Sequence, residues 1–386
     1  MDDTDQVEAA INACGHSGTI TFEKGMFNIT RRMMWDLDNA HVDLKGTLSF
    51  QPDTDYWLNK SNTFQVVFIQ SQSSWFVVTG KNFVIDGHGA GGINGNGQAW
   101  WNLFATTRPR LDGDGRPIAF TLWRVSNAVI RGFNVQSPPF WAHTVAESAD
   151  VLYENILVNA TNTDPTFSGQ NIVWNTDGIN TYRSSRITMR NWDVTGGDDC
   201  IAIKGNSTRI TARNFICRGG EGVAFGSLGQ YANMTDLVSD ILIENVQVLR
   251  LPSDVQPNNV HGIYFKTWDG SLNNGEPPTG GGGGSGLVKN AVFRNFKLDR
   301  VDTAVQIIQD FGGGGVIGSR VKLQDMRFEN IRGTTNDSTI INLACSQAVG
   351  CSDLVFKNFN VRNPKGADEY ICENAHHISG LKGEFS

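Results

Sequence analysis

Charge is scarce in this 386-residue chain, with only 18% of residues Asp, Glu, Lys or Arg. No block of Lys or Arg stands out, which argues against nucleic acid as a partner. The net charge is −7 and the sequence pI about 5.5, so action on an acidic polymer would need a local basic patch. No apolar run approaches the roughly 18 residues of a membrane-crossing helix, and no membrane partner is expected. No signal-peptide pattern is seen, and Met1 before Asp2-Asp3 reads as an artificial start. Proline is rare, 11 residues against 43 glycines, which favours a turn-rich β protein. Tight two-residue hairpin signals are also few, which counts against a β-sandwich.

What is present is repetition. Length alone suggests two or three domains, but a solenoid grows without a new core. Apolar residues are 39% of the chain, enough for a large interior. A short amphipathic helix is expected from Val7 to Cys14, with Val7, Ala10 and Ile11 on one face, then a strand from Gly18 to Phe22. That helix would cap the first coil. Short β-branched runs then lead into asparagine again and again, at Asn155, Asn191, Asn214, Asn245, Asn295 and Asn358. The tightest interval is the 23 residues from Asn191 to Asn214, with inserted loops lengthening the others. This is the mark of a parallel β-helix. Asparagine suits a left-handed corner and can bond along the stack. Insertions fall at 94–117, 160–174, 251–262 and 269–286, where they would wall a binding groove. Gly280 to Gly284 reads as a loop inside one domain covering residues 1–386.

Acidic groups share the coil interval. Asp198 follows Asp177 by 21 residues, and Glu221 follows Asp198 by 23. Stacked strands lie about 4.8 Å apart, so such carboxylates would be roughly 5–9 Å from one another, a range that covers glycosidase acid/base pairs. Asp198 and Asp199 are consecutive and would face opposite ways on a regular strand. Gly196-Gly197 before them suggests a bend or bulge that turns both outward. A single Asp-Gly is ordinarily a turn residue; three aspartates in register are better explained by chemistry.

Of six cysteines, Cys200 and Cys217 would lie on adjacent coils, and Cys345 and Cys351 would close a short loop. Cys14 and Cys372 could pair, or Cys14 could bond elsewhere. Six Asn-x-Ser/Thr sequons, at Asn28, Asn59, Asn159, Asn206, Asn233 and Asn336, point with the cysteines to a secreted glycoprotein.

Asn175-Thr176-Asp177, Gly197-Asp198-Asp199-Cys200, and Gly220-Glu221-Gly222 followed by Gly226-Ser227-Leu228-Gly229-Gln230-Tyr231 resemble glycoside hydrolase family 28. These are the polygalacturonases and rhamnogalacturonan hydrolases of pectin degradation. The early stretches Asp2-Asp3-Thr4, Cys14-Gly15, Gly97-Gln98-Ala99-Trp100-Trp101 and Arg108-Pro109 are similar too, and the long loops look most like fungal exo-acting members. The resemblance implies a right-handed parallel β-helix and an inverting hydrolase, a secreted monomer acting on a pectic polysaccharide without metal or cofactor. By position, Asp198 would be the general acid, and Asp177 and Asp199 would activate the attacking water.

Two departures matter. The family usually has Gly-His-Gly where this chain has Glu221, and Arg-Ile-Lys where it has Tyr264-Phe265-Lys266. One cation of a galacturonate-binding clamp becomes an anion and one an aromatic. A carboxylate beside Glu221 would be repelled, at a cost of kcal/mol order, so one sugar flanking the cleaved bond is expected to be neutral, rhamnose being the natural candidate. The alternative is that Glu221 simply pairs with Lys266. Asn175, His143 and Gln230 are further candidates to bind substrate, with His143 equally readable as a core residue. Arg110 and Arg183 could hold carboxylates, and Trp100, Trp101 and Trp141 could stack on sugars or pack under loops. Gln309-Asp310-Phe311 falls where the family often has an aromatic. Removal of terminal galacturonate, terminal rhamnose or galacturonate from homogalacturonan all remain open. A calcium-dependent lyase would need more basic residues, and a non-catalytic solenoid would not need the aspartates.

Overall fold

The computed structural model describes residues 2–107, 114–258, 261–273, 275–313 and 317–381. Arg108, Pro109 and Arg110 lie outside the described residues. The chain divides into two compact units. One comprises Met1–Asn180, Ser184–Asp198 and Ser253–Gln256; the other comprises Thr181–Arg183, Asp199–Pro252 and Pro257–Ser386.

In the first unit the helix runs over Thr4–Cys14 and buries Thr4, Val7 and Ile11, so its apolar face covers the first coil as expected. Strands Phe76–Asp86, Phe120–Arg131, Ala149–Asn159 and Ser185–Thr195 then pair in parallel, one on the next. The second unit continues the same design. Thr208–Arg218, Thr235–Leu249, Ser285–Val301, Arg320–Thr335 and Cys351–Lys357 form one parallel ladder. Ile201–Ile203, Val223–Leu228, His261–Trp268, Thr303–Phe311 and Thr339–Ala344 form another. This is the parallel β-helix that the repeat implies.

The asparagines explain how each coil bends. In Thr208–Arg218 the buried residues are Ile210 and Ala212, then Phe215 and Cys217. The alternation slips by one residue at Asn214, whose φ is +61°. A left-handed residue there turns the strand and points the next side chain inward again, at little cost for asparagine. Asn155, Asn191, Asn245, Asn295 and Asn358 are left-handed in the same way. The sequence suggests that asparagine ends each strand; instead the strand runs through it and folds. Within the units the side chains bond along the stack, Asn191 to Asn155 at 3.0 Å and Asn245 to Asn214 at 3.1 Å. Asn330, which the sequence pattern did not single out, completes the run between Asn295 and Asn358. Inside, Phe293, Phe328 and Phe356 stack with ring centroids 5.2 and 4.7 Å apart. Each such buried ring contributes roughly 1.5–3 kcal/mol.

Both expected disulfides are formed, Cys200–Cys217 and Cys345–Cys351. Cys14 and Cys372 are not disulfide-bonded. The first insertion is not a plain loop, because Gly97–Thr106 is a helix with Trp100, Trp101 and Phe104 buried. Its polar face ties down the second insertion: Gln98 donates to Asn162 and Asn102 to Asp164. The glycine run belongs to a hairpin in which Gly281–Gly282 pairs with Leu272–Asn273. Of the sequons, Asn59, Asn233 and Asn336 are exposed and Asn28, Asn159 and Asn206 half-buried. Among the described residues no helix is long and apolar enough to cross a membrane.

Candidate active site

Asp177 lies in the turn before strand Ile179–Tyr182, and Asp198 in the bend after Ser185–Thr195. Neither is on a strand, so the alternation that would have forced consecutive aspartates apart does not apply. The bend depends on Gly197. A Cβ there would sit 2.4 Å from the carbonyl oxygen of Val173, so only glycine lets the 171–176 segment pack this closely. Thr176 secures the contact by accepting from the Gly197 N–H at 2.9 Å.

Asp177 is 2% exposed, Asp198 half-buried, and each places a carboxylate oxygen within 4.8 Å of the other. Oxygens at that spacing can share one water molecule, or contribute to a divalent-cation site, which would need several more oxygen ligands. That limit applies to one oxygen of each residue and is not the separation of whole carboxyl groups that distinguishes inverting from retaining pairs, so it does not select the stereochemical course. Asp198 Oδ2 accepts two hydrogen bonds from Asn175, one from its backbone N–H at 3.1 Å and one from its carboxamide at 3.2 Å. Asn175 thus holds the Asp198 carboxyl group. Its own Oδ1 accepts from Arg116 at 3.0 Å.

In the second unit Asp199 is 2% exposed. The Lys266 ammonium donates to both of its oxygens at 2.9 Å and to Glu221 Oε2 at 3.3 Å. Glu221 therefore does pair with Lys266. One cation between two carboxylates leaves a local charge of −1, which does not favour a further anion. Lys266 also sits 5.0 Å from the Tyr264 ring and 6.0 Å from Phe311, which brings the Phe311 stretch into this cluster. Gly222 at φ +68° is required beside it, since a Cβ would lie 2.0 Å from the His261 carbonyl.

Two expected substrate contacts are corrected. His143 does not line a groove. It is fully buried among Phe120, Phe133, Tyr153 and Trp192, and desolvation pushes its pKa down to about 3. Gln230 is 4% exposed and its carboxamide donates to the carbonyls of Pro278 and Gly280, so it braces the glycine-rich hairpin. Trp100, Trp101 and Trp141 are buried packing residues. Arg183 is exposed, with its guanidinium 5.0 Å from the Tyr182 ring. The residue that sequence reasoning missed is Arg116. It carries no motif signal beyond the acidic Asp114 two positions earlier.

Known proteins are similar to this chain. An alpha-L-rhamnosidase of Aspergillus niger is 34% identical over 386 residues, covering 97% of this chain and 85% of the relative. An exopolygalacturonase of Cochliobolus carbonum is 34% identical over 387 residues, covering 98% and 82%. An endo-xylogalacturonan hydrolase from Aspergillus tubingensis shares the fold, with a TM-score of 0.77 over 100% of this chain and 95% of that one at 24% identity. Residues 34–381 match the description Glycosyl hydrolases family 28. The aspartate-bearing turns thus lie in a chain that belongs to glycoside hydrolase family 28, and the protein is a glycoside hydrolase.

Proposed function

We propose that this hydrolase removes a terminal sugar, galacturonate in the favoured case, from a rhamnogalacturonan-type or galacturonan backbone of pectin, with inversion. Asp198 gives its proton to the glycosidic oxygen as the C–O bond breaks and the bonding pair stays on that oxygen. Water adds to the anomeric carbon from the opposite face and loses a proton to Asp177 or Asp199. General acid–base assistance of this kind contributes about 10²–10⁴-fold. Residues 1–386 act as one catalytic domain, a secreted, glycosylated monomer. Exo action is supported by the long insertions and by the exopolygalacturonase relative.

The observation that carries the substrate reading is Lys266 clamped between Asp199 and Glu221. With its charge already outweighed by two carboxylates, the ammonium makes a poor seat for a second uronate, so a neutral rhamnose fits beside the bond. The same observation, with the rhamnosidase relative, supports a second reading in which terminal rhamnose is released. One digest separates them: rhamnogalacturonan fragments ending in galacturonate are compared with fragments ending in rhamnose, and polygalacturonate is run alongside. Release of galacturonate from the first set is expected. Faster galacturonate release from polygalacturonate would sink the neutral-sugar reading, and an ultraviolet-absorbing unsaturated product would make the enzyme a lyase.

A further inference from the structure

Arg116 belongs to none of the motifs that mark this family, yet it is fully buried and all five of its N–H groups are used. Nε and Nη2 donate to the two oxygens of Asp114 at 2.7 and 2.8 Å. Nη1 donates to the carbonyls of Pro139 at 3.3 Å and Trp174 at 3.0 Å. The rings of Phe104 and Phe140 lie 4.7 and 4.8 Å from the guanidinium carbon. These contacts suffice to anchor a buried cation. The remaining one, Nη2 to Asn175 Oδ1 at 3.0 Å, goes to the side chain that holds Asp198.

That contact has a direction. A guanidinium can only donate, so the Asn175 amide must present its oxygen to Arg116 and its nitrogen to the other side. There Nδ2 meets Asp198 Oδ2 at 3.2 Å, beside the Asn175 backbone N–H at 3.1 Å. A flipped amide would set donor against donor at Arg116 and oxygen against oxygen at Asp198. With two donors on Oδ2, a proton on that oxygen would be crowded out.

We propose that Arg116 is a positioning residue for the general acid: by fixing the orientation of Asn175 it confines the transferable proton of Asp198 to Oδ1. This rests on reading Asp198 as the acid. Lysine could not replace it, because a point donor lacks the fork that holds Asp114, two carbonyls and Asn175 at once.

The test uses leaving groups that differ in their need for a proton. Wild type, Arg116→Met and Asn175→Asp are compared on pectic oligosaccharides and on 4-nitrophenyl α-D-galacturonide, with 4-nitrophenyl α-L-rhamnoside as a parallel arm. Nitrophenolate leaves with little protonation, so a misaligned acid is masked there. Arg116→Met should lose on the order of 10²-fold in kcat on the oligosaccharide with KM little changed, and less than about tenfold on the aryl glycoside. Asn175→Asp should give the same split while keeping an oxygen partner for Arg116, so it carries the test if Arg116→Met does not fold. Equal losses on both leaving groups in Asn175→Asp, or an unchanged oligosaccharide rate in Arg116→Met, overturns the proposal. The wild-type rates test the hydrolytic reading separately, since a wild type inactive on every one of these substrates removes Asp198 as the acid altogether.

Discussion

Asp198 and Asp199 share a peptide bond but not a surrounding. Asp198 is half-buried and held by the N–H groups of a neutral asparagine. Asp199 is almost fully buried and held through both oxygens by an ammonium. Amide donors on one oxygen tolerate a carboxyl that carries its proton on the other. An ammonium on both oxygens calls for a carboxylate. The difference teaches that two identical side chains, one residue apart, meet opposite surroundings, which is what the proposed division into acid and base asks of them.

The largest expected effect would break that contrast directly. Asp198→Asn and Asp199→Asn should each lower kcat on oligosaccharides by about 10²–10⁴-fold. Only Asp198→Asn should keep a larger share of its rate on an aryl glycoside. Steady-state kinetics on both substrates decides it, and identical profiles would erase the division of labour. Next comes Lys266→Met, which leaves Asp199 and Glu221 facing each other without their cation. Stripping one partner from a buried pair costs about 3–5 kcal/mol, so denaturant unfolding should show a large loss of stability together with the loss of activity. A smaller effect is expected of Glu221→Gln, which brings the cluster from −1 to neutral. KM for uronate-rich oligosaccharides should fall by up to about tenfold, equal to about 1.4 kcal/mol. A rise in KM would instead make Glu221 a direct substrate contact.

The smallest effect separates the frame from the site. His143 stays neutral in the folded core, its pKa pushed down to about 3, whereas an unfolded chain takes up the proton below about 6.5. Stability should therefore drain as pH falls from about 6.5 toward 3. His143→Leu should flatten part of that slope, seen as a Tm gain over wild type that is larger at pH 4 than at pH 7. His261, pushed down to about 4 by burial and nearby cations, acts in the same direction and remains.

The fold was legible because its rule is local. Inward apolar residues alternate along each strand, and asparagine marks where the alternation slips. The acidic positions were legible because Asp177, Asp198 and Glu221 return at intervals of 21 and 23 residues, about one coil each. Arg116 was not, because its meaning lies in partners such as Asn175, 59 residues away, which no local pattern reports. His143 was ambiguous for another reason. All four residues of His143–Ala146 are buried, so period-two alternation cannot say which face is core. Gln230 sits inside a family-like run, yet its carboxamide serves the hairpin around Gly280, an insertion whose path the sequence left open.

The asparagine corners also bear on how such an enzyme can change. The bonded pairs of corner residues are separated by 36, 31, 50, 35 and 28 positions, yet their amides bond at 2.9–3.1 Å in every one of these pairs. The frame takes its alignment from the corner and is indifferent to how much chain intervenes. Segments running from one corner to the next are therefore natural exchange modules. Swapping them between relatives should transplant a substrate preference while the scaffold stays in step.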